Sequence, residues 1–149
     1  MFGVLKKALG GASREVSAAY GENKDFLEAA CAAVALVAAA DGDIEDSERQ
    51  KATRLLSNHG ELSKLYKQTD IEQTLATMFA RAKDASGRQQ LARELDDIKG
   101  RPSGAKMAED VYLIGLDIAH ADGEVEPQEQ DVLNRLAARL GVDPARFEF

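Results

Sequence analysis

The sequence predicts an all-α fold. Apolar residues recur at helical spacing along most of the chain, and no run of four or more residues alternates as a half-buried strand does. All three prolines, at positions 102, 127 and 144, stand where a helix can begin rather than inside one. With 149 residues there is room for one domain around one core, since two cores of half that size would each be marginal.

The elements follow in order. Phe2, Leu5 and Leu9 share one side of a first amphipathic segment, which Gly10 and Gly11 interrupt and which resumes weakly to Tyr20. The spacing predicts a helix over Lys24 to Ala40, so rich in alanine that a neighbour can approach closely. Asp41 and Gly42 break it, and a helix from Asp46 to Ser57 follows, ended by Asn58, His59 and Gly60. After a short piece from Leu62 to Tyr66, Thr69 and Glu72 read as a capping box opening a helix that carries Ile71, Leu75, Met78 and Phe79. That helix is expected to stop near Ser86 and Gly87, and Arg88 to Lys99 to repeat its pattern. Ser103 or a neighbour caps the longest apolar helix, up to Ala121. Pro127 opens the next helix, Gly141 closes it, and Asp143 and Pro144 cap a last turn whose Phe147 and Phe149 staple the chain end to the core.

Composition narrows the function. The net charge of −7 sits after Asp25, whereas residues 1–22 form a basic amphipathic segment with Lys6, Lys7 and Arg14 against Glu15 and Glu22. An acidic body repels a phosphate backbone, and the absence of tryptophan removes stacking platforms, so nucleic acid is not an expected partner. Cys31, the only cysteine, lies in the apolar run Ala29 to Ala40, which rules out an internal disulfide or a thiolate cluster and suggests a buried thiol. No window reaches the roughly eighteen apolar residues of a membrane span and the start lacks a signal core, so a cytoplasmic location is expected. The basic segment from Phe2 to Leu9 can lie on an anionic membrane face or pack on the protein's own core.

One pattern occurs twice. Asp41-Gly42-Asp43-Ile44-Glu45-Asp46-Ser47-Glu48 and Asp122-Gly123-Glu124-Val125-Glu126-Pro127-Gln128-Glu129 match in charge and apolarity at an offset of 81 residues. Each follows an apolar helix and leads into an amphipathic one, so the repeated units span about 28–58 and 108–140. Glycine permits positive φ at the turn, Ile44 and Val125 point to the core, and Glu48 and Glu129 fall in the first turn of the exit helix, where its dipole favours a carboxylate.

The spacing is that of the second half of an EF-hand calcium loop, with Val37 and Ala39, or Ile118 and His120, where the first and third ligands would stand. Neither loop alone offers the roughly six to eight oxygens that calcium prefers. A metal would therefore draw on both loops or on water: Asp41, Glu48, Asp122 and Glu129 are the candidate ligands, with Asp43, Glu45, Glu124, Glu126 and His120 in reserve. Such oxygens suit calcium, magnesium or manganese, with zinc only if His120 turns inward. Tight turns with acidic helix starts are the plainer explanation.

The two units, Val34 to Glu48 and Ile114 to Glu129, together with the closing Leu140-Gly141-Val142-Asp143-Pro144, resemble the TerB family of tellurite-resistance proteins over nearly the full chain. The resemblance implies a compact domain of about seven helices, a role in bacterial resistance to tellurite and other stresses, and a divalent metal bound by the repeated loops. It also implies action with calcium-binding TerD-like proteins and the membrane protein TerC at the inner face of the membrane. Carried over, the matching positions are Asp41, Glu48, Asp122 and Glu129.

Nothing in the sequence supplies an activated nucleophile: no serine stands in a glycine-flanked elbow, and His59 and His120 both sit at helix ends, where a cation is welcome. The leading expectation is a non-enzymatic stress-response module that binds a divalent cation or a partner. The alternatives are a metal-dependent enzyme with tellurium-containing or phosphorylated substrates, and a structural adaptor whose loops are only turns.

Overall fold

A computed structural model describes residues 24–147 except Asp43 and Pro102, and the backbone but not the side chain of Asp122. The amphipathic segment 1–22 and Phe149 lie outside the described residues. Within them run seven α-helices: α1 Asp25–Ala38, α2 Asp46–Ser57, α3 Gly60–Leu65, α4 Gln68–Arg81, α5 Ala85–Asp96, α6 Gly104–Ala119 and α7 Pro127–Leu140. Two 3₁₀ turns, His120–Asp122 and Pro144–Phe147, follow α6 and α7, and no strand occurs among the described residues.

Helix α1 is the centre of the bundle because it is apolar nearly all round, the pattern of a helix with neighbours on every side. From Phe26 to Val37 only Glu28 and Leu36 are not fully buried, and α2, α4, α5, α6 and α7 all pack against it. Its small side chains permit the approach: a Cβ built on Gly115 of α6 would lie 3.9 Å from that of Ala33. The outer helices each turn one stripe inward, such as Ile71, Leu75, Met78 and Phe79 of α4 and Leu133, Leu136, Ala137 and Leu140 of α7. Full burial of one such leucine stabilises by about 1.5–3 kcal/mol.

Helices α1 and α6 run in the same direction. Asp25, the first residue of α1, receives the Arg101 guanidinium, with Nε at 3.0 Å, just ahead of α6, and further along Ala33 faces Gly115. Their C-terminal ends, where the two acidic loops begin, therefore lie at one end of the bundle.

Several boundaries differ from expectation. The capping box at Thr69 is not formed: α4 starts earlier, at Gln68, whose amide donates to Glu72 at 2.9 Å. Ser86 and Gly87 do not stop a helix but lie in the first turn of α5, where the Asp84 carboxylate accepts from the Gly87 N–H at 2.6 Å. Gly87 is needed for close approach, since a Cβ there would come within 1.7 Å of the Arg81 carbonyl oxygen. Ser103 flanks α6 without a side-chain cap, and α6 ends at Ala119 rather than Ala121 because the chain tightens into a 3₁₀ turn. Gly141 has φ 72° as a left-handed stop, and Phe147 meets Tyr112 with ring centroids 5.8 Å apart.

Candidate functional site

The two acidic loops share one backbone solution. Gly42 has φ 91° and Gly123 φ 95°, both in the region that resists a Cβ. The Gly42 N–H donates to the Ala39 carbonyl and the Gly123 N–H to the His120 carbonyl, each at 2.9 Å and at equivalent positions. Glu45 and Glu126 are both extended N-caps, at φ −76°, ψ 155° and φ −67°, ψ 153°. The first bonds of the exit helices correspond too, Arg49 N–H to the Glu45 carbonyl and Gln130 N–H to the Glu126 carbonyl. Ile44 and Val125 are half-buried and pack on the core, the same environment in both copies.

The helical context also decides against an EF-hand. Val37 lies buried in α1 and Ala39 at its C-cap, while Ile118 is inside α6, so the segment that would carry the first calcium ligands is helix rather than loop.

The candidate ligands are unequal in their duties. The Glu129 carboxylate accepts the Glu126 N–H at 3.0 Å, the capping-box contact that stabilises the start of α7. Glu48 is half-buried in the first turn of α2, and Asp41 is exposed at the turn. Glu45, Glu124 and Glu126 are exposed, as is His120 at the end of α6. Asp43 and the Asp122 side chain lie outside the described residues. Among the described residues no three His, Cys, Asp or Glu side chains converge closely enough to hold a metal ion. A shell assembled at this end would need Asp43, Asp122 or water as well.

Cys31 is fully buried in α1, and burial pushes its thiol far above the ordinary range, which makes it a poor nucleophile. His59, expected as a plain surface residue at a helix end, instead joins two elements. Its Nδ1 accepts from the Glu61 N–H at 3.4 Å at the start of α3, which leaves Nε2 to donate to Asp117 of α6 at 3.3 Å. Sequence reasoning also missed Glu94 of α5, 18% exposed, which meets Arg81 at 3.3 Å and feels the charge of Glu28 of α1. Burial first, and the Glu28 charge next, raise its carboxyl above the usual glutamate range, with Arg81 opposing. Only the packing of α1, α4 and α5 brings these three residues together, and no local spacing announces it.

No helix among the described residues is long and apolar enough to cross a membrane. No curated protein and no solved structure matches the chain. The family model for tellurite resistance protein TerB matches residues 27–149, from the first turn of α1 through both acidic loops to the end of the chain, and the protein belongs to the TerB family.

Proposed function

We propose that the protein is a tellurite-resistance stress-response module whose paired acidic loops take up a divalent cation. What supports the reading is the repeated turn: two loops with one backbone geometry begin at the same end of the bundle, each carrying acidic residues at equivalent positions. Two carboxylates about 6 Å apart at an effective dielectric near 20 repel by roughly 3 kcal/mol, so pooled carboxylates favour a counter-ion or a proton. Asp41, Glu48, Asp122 and Glu129 would provide hard oxygen ligands, which suit calcium, magnesium or manganese.

The test is the melting temperature of the full chain with each cation added, in the wild type and in a Glu48→Gln, Glu129→Gln double variant. Glutamine keeps the acceptor oxygen that caps α7 and removes the charge. At a cation concentration about a hundred times Kd the wild type should gain roughly 2.7 kcal/mol, and the double variant should gain far less. No rise with any of the three cations, or an equal rise in the variant, refutes the reading.

A second reading has its own observation. Glu124 and Glu126 are exposed, and Glu129 already serves the helix cap, an arrangement that also suits docking of a basic protein surface. The TerD-like and TerC components of the same resistance system are the partners we propose for it.

A further inference from the structure

We infer that the furrow between α2 and α4 is a docking groove for an acidic amphipathic helix of a partner protein. An open furrow of about 510 Å³ runs between these helices and meets a second, of about 260 Å³, that reaches the first acidic loop. Arg49 and Phe79 line both, so the two adjoin on the bundle surface. Its apolar lining includes Ala76, Phe79 and Ile44, and its basic lining is Arg49, Arg54 and Lys83.

The charge is what selects the occupant. The chain has 26 acidic residues against 19 basic ones, yet among the described residues no acidic one lines either part of the furrow. Arg49 is paired with Asp46, whereas among the described residues the Arg54 guanidinium and the Lys83 ammonium have no carboxylate partner. An apolar trough bordered by unneutralised cations complements a helix that buries leucine-like anchors at i, i+3 and i+7 and presents carboxylates on its flanks. From Ala76 to Ala82, its C-cap, the trough follows α4 for about 9 Å at helical rise, close to the reach of those anchors. The chain's own segment 1–22 is basic and carries the wrong charge for it.

The inference stands apart from cation binding at the loops, so the test is run in chelator. A fluorescent synthetic peptide of about fifteen residues, leucines on one helical face and glutamates on the others, is titrated with the full chain and followed by anisotropy. The expected result is saturable binding that weakens at least about tenfold in the Arg54→Glu, Lys83→Glu double variant. The Ala76→Glu variant, which places a charge in the trough, should weaken it likewise, and the peptide with lysine for every glutamate should not bind. Because these three positions are exposed or border solvent, helical circular dichroism should be unchanged. Absence of saturation up to about 1 mM protein, or wild-type affinity in both variants, overturns the inference. So does a concentration-dependent dimer in sedimentation that the double variant abolishes, since the occupant would then be a second copy.

Discussion

Gly87 and Gly115 both lie inside helices and both are buried, yet a Cβ meets different surroundings at each. At Gly87 it would come within 1.7 Å of a backbone oxygen, which only a shift of α5 against the end of α4 can relieve. Gly87→Ala should cost about 1–3 kcal/mol or more. At Gly115 the nearest atoms stand 3.6–3.9 Å away, ordinary contact, so Gly115→Ala should leave packing intact and gain up to about 1 kcal/mol of helix propensity. Urea unfolding of the two variants checks both, and a loss at Gly115 would mean that α1 and α6 tolerate no added methyl. Glu94 supports a pH prediction. A carboxyl whose folded pKa is raised favours folding when protonated and opposes it when ionised, so its contribution is lost as pH rises through the folded value. Glu94→Gln should therefore raise the melting temperature at pH 7 despite the lost Arg81 pair, and the gain should shrink as pH falls through the raised folded value toward the ordinary glutamate range. A variant less stable than wild type at pH 7 would show that Arg81 outweighs burial and Glu28.

For the helices and loops, the repeat makes a paired prediction. Gly42 and Gly123 have open space where a Cβ would project, so an alanine at either suffers only the backbone penalty of positive φ, about 1–3 kcal/mol. The two losses should be similar, and a wide gap between them in urea unfolding would mean that the turns are not equivalent. This part of the structure was legible in the sequence because its causes are local: a glycine, an apolar anchor, and a carboxylate in the first helical turn. The limits of α2 and α7 were legible for the same reason, through Gly60, Pro127 and Gly141. Ser86 and Gly87 misled because glycine marks both a stop and a close approach, and only the position of the Arg81 carbonyl distinguishes the two. The Thr69 box misled because the backbone of α4 could begin one turn's fraction earlier with Gln68 and Glu72 paired. At the site itself the repeated loops were readable, but His59 to Asp117 and Glu28 to Glu94 depend on which helices become neighbours.

For the whole molecule, the central helix implies one cooperative unit. Because α1 packs on helices from both repeated units, neither unit has a core of its own. Thermal unfolding followed by far-ultraviolet circular dichroism and by the near-ultraviolet tyrosine signal should give a single coincident transition. Two separated transitions would instead show that the α1–α2 and α6–α7 pairs fold independently.

The parallel course of α1 and α6 has a kinetic side. Asp25 and Arg101 are 76 residues apart in sequence, so this pairing closes a long loop, in contrast to an up-and-down bundle whose neighbours adjoin in the chain. Refolding should be slow for a helical protein of this size. During synthesis α1 emerges well before the helix that covers its Ala33 face, and a nascent chain halted ahead of α6 presents that alanine-rich surface to solvent, to proteases and to chaperones.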